Sequence, residues 1–524
     1  MAIQISGTEV ISNSRGLNNI ASVDATTAAS ISAAGVGGGG TQDFVASGTV
    51  STGDVVVLKS DGTVAVVGNV FTPDSAPTNG TQAGFGGTYM PNQPTIVYDS
   101  SNNKVVLIYA NWTIDYPTAV VGTVSGSTIS FGTPVTIESS DGYDFAATFD
   151  SNANKVVVTW SKSSNLDGRA AVGTISGTSI SFGTVATWDT GQVGTNQHTT
   201  CFDSNSNKVV IAYKDYATST YPFAVVGTVS GTSISFGTRV TIRSASVQEH
   251  VASTFDSNNN KVLVTYRVFG QGLCKVGTVS GTSISFGTEA TFNSTGNGRG
   301  FPIYDSGNGK IVVIYRNEQS NVNYLAGVVG TISGTSISFG SGVNIWASAI
   351  DNQGTQATYD SNSGQIICTF INDPTGNHEA VIIAGTVSGT SLSFPTIASG
   401  DWLKPNGTTF SEYTSCVLDA NANKIVMLYR DDSAGGKQQA NPIKVSSATS
   451  NYGDWIGIST EAISSGSTGT ITVIGGVNDQ QSGLTVGSTY YVDSNGSLTT
   501  TSTSNYKVGK AIAATDLLIT EGNT

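Results

Sequence analysis

The phrase VGTVSGTSISFGT stands word for word at residues 226–238 and again at 276–288, with close copies on either side. A second phrase, an aromatic residue followed by Asp, four residues, Lys and Val, interleaves with it, as in FDSNNNKVLVTYR at 255–267. Its aspartates are Asp99, Asp150, Asp203, Asp256, Asp305, Asp360 and Asp419, spaced 51, 53, 53, 49, 55 and 59 residues apart. Within one unit the apolar residues alternate with period two and show no helical period, through ASTF, KVLVTY, CKVGTV and SISFGTEATF. Each unit therefore reads as four short strands. The DSNNNK turn joins the first pair and the VSGTS turn the second, with Asn, Asp and Gly supplying the backbone freedom that tight turns need. Seven such units predict an all-β fold, a seven-bladed β-propeller of ~50-residue four-stranded repeats. The seventh unit lacks its VGTVSG phrase, and GTVAVVGNV at 62–70 is expected to supply the missing piece and close the ring.

Strand direction alternates, so the two nearly invariant turns of every unit lie on one face and the two variable connections on the other. Repetition describes scaffold, whereas divergence gathered on one face marks a candidate binding surface. All three histidines, His198, His250 and His378, fall in the variable connections, as do Trp112, Trp188, Trp346 and Trp402. Trp160 instead aligns with Tyr109, Tyr213, Tyr266, Tyr315, Phe370 and Tyr429 at the end of the second strand and reads as core. Lys214, Arg267, Arg316 and Arg430 follow that aromatic directly, which sets cations on the variable face, either to receive an acidic ligand or to pair with neighbours such as Asp215 and Asp431. With Tyr116, Tyr221, Tyr216 and Tyr324 these residues make up a candidate glycan-binding face, in which aromatic rings stack on sugars and polar groups bond the hydroxyls. On this reading, replacing Trp112, Trp188 and Trp402 by Ala stops adsorption and leaves the fold intact.

Catalytic chemistry has less support in the sequence. The loop carboxylates Asp215, Glu249, Asp351, Glu379 and Glu412 offer material for a glycosidase, but spacing alone pairs none of them, and no sialidase-type Asp box is present. The expectation is a protein that is not an enzyme and holds no cofactor. The D-x-N-x-N spacing, for example Asp203, Asn205 and Asn207, matches the opening of a calcium loop but lacks the distal Glu, so an Asx turn is the stronger reading. The four cysteines, Cys201, Cys274, Cys368 and Cys416, have no metal-type spacing and read as free buried thiols. A net charge of −13 without a basic run argues against nucleic acid and anionic membranes. No apolar run is long enough to insert in a membrane and the first residues do not read as a signal peptide, so synthesis in the cytoplasm is expected.

The ends of the chain are written differently. Residues 1–40 read as an attachment or oligomerisation segment, with a short helix within 11–34 and a Gly linker. Residues 41–75 and 447–524 carry alternating strands and Gly turns and are expected to form one small β-sandwich or barrel-like domain from both chain ends, with the propeller, 76–446, inserted in it. The opening VISNSRGLNNIASVDATTAASI, with GDVVVLKSDGTV near the start and IGIS, GLTVGSTYYVDSNGSLT and VGKAIAATDLLI near the end, resembles the virion structural and tail-fibre proteins of tailed bacteriophages, marine ones in particular. The resemblance covers roughly the first 70 and last 80 residues, and a looser form of the DSNNNK repeat also occurs in that family. It implies a virion-surface location, attachment to other virion proteins through the terminal regions, a homo-oligomer such as a trimer, and a distal β-rich part that meets host surface polysaccharide. No catalytic residue carries over. A tail or capsid fibre that binds host glycan is the resulting expectation, against a purely structural decoration or connector protein, a glycan depolymerase and a secreted lectin.

Overall fold

The computed structural model describes residues 3–5, 8–11 and 40–520, apart from 60–61, 68, 86–93, 112–114, 191–192, 218–219, 249, 295–297, 320–321, 347, 352–353, 374–377, 395–412, 432–436, 451–454, 494–495 and 503–504. No helix occurs among the described residues. The helix expected within 11–34 lies outside them except at Ile11, which ends the strand Thr8–Ile11. Two units result: residues 1–72 with 448–524, and residues 73–447.

The described residues of the second unit carry seven antiparallel sheets, each with a path of four strands to which six add a short fifth strand on the third, and six of the seven are built from consecutive strands. In the sheet of Val251–Asp256, Lys261–Val268, Gln271–Ser280 and Ser283–Phe286, Asp256 pairs with Lys261 and Ser280 with Ser283, which sets the two invariant turns at one end. The sequence pattern SISFGTEATF is not one strand. It breaks at Gly287, and both Ser283–Phe286 and Ala290–Asn293 pair with the third strand. Second strands such as Lys104–Asn111 are buried along nearly their whole length, because both faces of each sheet pack on a neighbour. Outer strands such as Ser179–Phe182 alternate between exposed and buried.

Seven buried apolar clusters each draw on two successive sheets. One of them joins the last sheet to the first through Phe85, Ile96, Leu107, Val426 and Leu428, so the sheets form a closed ring, a β-propeller. Closure comes from the N-terminal side, but further along than 62–70. Asn69–Thr78 is the outer strand of the last sheet, whereas Val64–Val66 pairs with Val55–Leu58 in the other unit. The reason lies in packing. Gly80 sits where a Cβ would be 2.4 Å from the Ser127 carbonyl oxygen of the first sheet, the same close approach that Gly183 makes to Thr232 at 1.8 Å. The NGT at 79–81 thus does the work of the FGT in the other repeats.

The seven repeat aspartates are buried, and each closes its own turn. Asp203 Oδ1 accepts the backbone N–H groups of Asn205 and Ser206 at 2.9 and 3.0 Å, and Oδ2 accepts the Ser206 hydroxyl at 2.6 Å. Asn207 takes φ 54°, and Asn or Gly stands at that position in every unit. The Asx-turn account of D-x-N-x-N therefore describes this geometry, with the Asp203 carboxylate engaged by its own turn.

In the first unit, one sheet orders the strands Thr41–Val45, Thr468–Val473, Trp455–Ser459, Val55–Leu58 and Val64–Val66, which interleaves the two ends of the chain. A second sheet holds Val477–Asn478, Leu517–Ile519, Tyr506–Ala511, Thr489–Val492 and Leu498–Thr499. Val55, Val57, Trp455, Ile458, Tyr490 and Val508 share one buried cluster of this unit.

Candidate functional site at the propeller axis

First strands run from the variable face toward the invariant turns, so their opening residues ring the axis at the variable face. There they enclose a cavity of about 540 Å³, walled by all seven sheets and including Asp144, His198, His250, Arg299, Phe301 and Tyr413, with Tyr216 from a second-to-third strand connection.

His198 and His250 are the two imidazoles on this wall. His198 is held at both nitrogens, with Nδ1 3.0 Å from Asp144 Oδ2 and Nε2 3.1 Å from Thr159 Oγ1. A hydroxyl, an imidazole and a carboxylate in line suggest a nucleophile and its base. Thr159, however, is fully buried and bonds Thr200 across the seam between sheets. Its repeat counterparts Thr265 and Thr369 likewise reach over seams, to the Gly300 carbonyl at 2.8 Å and Thr414 Oγ1 at 3.2 Å. The threonine is a fastener between sheets, and His198 braces it.

His250 Nε2 lies 3.1 Å from the Gly300 carbonyl, an acceptor only, so Nε2 carries the proton and donates. The ring stands edge-on to Phe301 at 4.4 Å. Burial disfavours the imidazolium, and Arg299, Arg316 and Arg267 repel it, which together outweigh the Gly300 bond and bring the pKa down to about 3. Unfolding returns the group to its ordinary value of 6.5. Below that pH the unfolded chain takes up a proton the folded one refuses. The stability is therefore complete above pH 6.5 and lost toward pH 3, at up to about 1.4 kcal/mol per pH unit. Urea unfolding of the protein and of His250→Gln at several pH values should show their stability difference shrinking as pH falls. A constant difference would contradict a neutral His250.

The other expected site residues are dispersed. Trp188 and Trp346 are 6% and 7% exposed and belong to the seams between sheets. Trp188 Nε1 donates to the Arg169 carbonyl, and its ring meets Tyr213 at 4.8 Å; Trp346 Nε1 donates to Asn372 Oδ1, and its ring meets Phe370 at 5.1 Å. Both are core residues, so replacing Trp188 is expected to destabilise the seam between the second and third sheets. Trp188 aligns with Ile137, Ile242, Phe292 and Ile345, and that uniformly apolar repeat position is the signal in the sequence that places it inside; Trp346 stands one position further on, in line with Asp189 and Asn293, where the repeat gives no such signal. Trp112 and Trp402 lie outside the described residues, as do Glu249 and Glu412.

Lys214 is buried and stands 4.6 Å over the ring of Tyr216. Asp215 is engaged by Arg239 at 2.7 Å. Tyr116, Tyr221, Tyr324 and Arg430 are partly exposed at the variable-face ends of their strands, away from the cavity wall. His378 sits apart as well, 3.3 Å from Asp373 and 3.9 Å from Asp351. Arg267 and Arg316 both act electrostatically on His250. Among the cavity residues that spacing did not single out are Asp144, Arg299, Phe301, Gln356 and Tyr413. Cys201, Cys274 and Cys368 are buried free thiols; Cys416 is partly exposed on the cavity wall, and burial pushes its thiol up to about 12.

Residues 438–517 are similar to the phage cement protein family. The match supports a phage virion structural protein. It takes in the third strand of the last propeller sheet and most of the C-terminal part of the first unit. No curated protein matches the chain. Among solved structures, a point mutant of the NanB sialidase from Streptococcus pneumoniae has TM-score 0.41 at 12% identity, covering 70% of each chain. The Dos1 propeller has TM-score 0.41 at 10% identity, covering 70% of this chain and 95% of that one. These likenesses concern fold alone. No helix among the described residues is long and apolar enough to cross a membrane.

Proposed function

We propose that this virion protein binds host-envelope glycan in the axial cavity at the variable face of its propeller, while its terminal regions attach it to other virion proteins as part of a homo-oligomer. One observation carries the reading. Three residues of the cavity wall that are not glycine hold left-handed backbone: Asp144 at φ 59°, His250 at 71° and Tyr413 at 56°. Each such residue costs about 1–3 kcal/mol and persists where the surroundings over-determine it, which is typical of binding sites. The cavity volume falls in the range of ligand pockets, and Tyr216, Phe301 and Tyr413 offer aromatic surface beside the polar groups of Asp144, Arg299 and Gln356. Binding without turnover is the reading, since Thr159 serves the seam.

The test is binding of the full chain to host cells and to an oligosaccharide array. Saturable binding, weakened about tenfold by Tyr216→Ala, is expected, equivalent to about 1.4 kcal/mol. Shortening of the bound glycan on incubation would instead make it a depolymerase. A second reading, decoration or connection of virion subunits without host binding, draws support from the cement-protein match. Protein that binds purified particles but neither cells nor any arrayed glycan would favour it.

A further inference from the structure

Three guanidinium groups gather at the seam between the fourth and fifth sheets. Arg299 opens the strand Arg299–Asp305 and lines the cavity. Directly across the strand pair stands Arg316, 5% exposed. In the fourth sheet Val251 pairs with Tyr266, which sets Arg267 beside His250. The His250–Gly300 bond ties the two sheets at this point. Arginines in direct cross-strand opposition are disfavoured on their own, and this chain has only 23 Lys and Arg against 36 Asp and Glu. Concentrating three of them around a neutral imidazole at a cavity wall builds a local positive field in an acidic protein. Asp144, on the wall of the second sheet, is engaged by His198.

The geometry points to an acidic glycan as the ligand, its carboxylate or sulfate seated on Arg299, with Arg316 and Arg267 reinforcing the field from behind. This rests on the glycan-binding reading above and narrows it. A guanidinium presents a planar fork that matches such an anion with two parallel bonds. Phe301 and Pro302, next along the same strand and also on the wall, give the sugar ring an apolar surface to lie on.

The full-length protein is titrated calorimetrically with three oligosaccharides of equal length: an oligogalacturonate, a sulfated dextran oligomer and a neutral dextran oligomer. At least tenfold preference for one acidic probe over the neutral one is expected, weakening as salt rises. The acid that binds tighter tells carboxylate from sulfate. Arg299→Gln should lose that preference. Should it fail to fold, Arg299→Lys, which keeps the charge without the fork, is read in its place and should bind the acidic probe several-fold more weakly. Equal binding of acidic and neutral probes, the result if the chain's own carboxylates fill the guanidiniums, overturns this inference and leaves glycan binding standing. Failure of all three probes, together with a blank oligosaccharide array, overturns both.

Discussion

Alanine at position 183 is expected to destabilise the propeller by about 3 kcal/mol, the upper part of the range for forcing an extra carbon into packed structure. The added Cβ would lie 1.8 Å from the carbonyl oxygen of Thr232 and 2.8 Å from its carbonyl carbon, both backbone atoms of the next sheet. No side-chain rotation relieves that clash, so the seam itself must open. Gly183 N also donates to the Val172 carbonyl, which pins the residue in place. Chemical denaturation of Gly183→Ala should show an earlier midpoint with an unchanged slope. A midpoint equal to that of the parent would mean that the seam between the second and third sheets yields freely.

A larger effect is expected from replacing residues 69–85 with a Gly/Ser linker of the same length. The last sheet would lose its outer strand Asn69–Thr78 and the short pairing of Ala83 with Ala440. Its seam with the first sheet would lose Phe85, which packs at 5.6 Å on Tyr109 and 5.9 Å on Phe131, and the bond from Thr81 N to Ser127 O. Removing one buried Phe side chain alone costs about 3–5 kcal/mol, and the strand Lys437–Ser450 is left with an open edge that invites pairing between molecules. Size-exclusion chromatography should show aggregates, and limited proteolysis should cut the opened seam. Recovery of a monodisperse protein with parental thermal stability would show that the ring holds without its N-terminal strand.

Trp188 shows how far single positions can be read. Taken alone, a Trp in a variable connection suggests a sugar platform. Taken with Ile137, Ile242, Phe292 and Ile345 in the same column of the repeat, it is one of a series of apolar plugs, of which Trp188 and Phe292 are set over the aromatic that ends the second strand of the next sheet. Tyr213 and Tyr266 complete the arrangement through their hydroxyls, bonded to Asp189 and to Glu289. Arg299 shows the converse. Nothing in its neighbourhood, NGRGFP, marks it, and it gains meaning only because strand pairing sets it opposite Arg316 and ring closure sets it on the cavity.

The repeat by itself determined the all-β class, the strand pairs, the turn chemistry of the seven aspartates and the division into an invariant and a variable face, because each follows from residues within a few positions of one another. The tertiary structure decided which segment closes the ring, which tryptophans are plugs, and which histidines and arginines meet at the axis. Those outcomes depend on contacts between sheets, some spanning more than 300 residues, as between Asn421 and Tyr98. Local pattern carries no record of such distances.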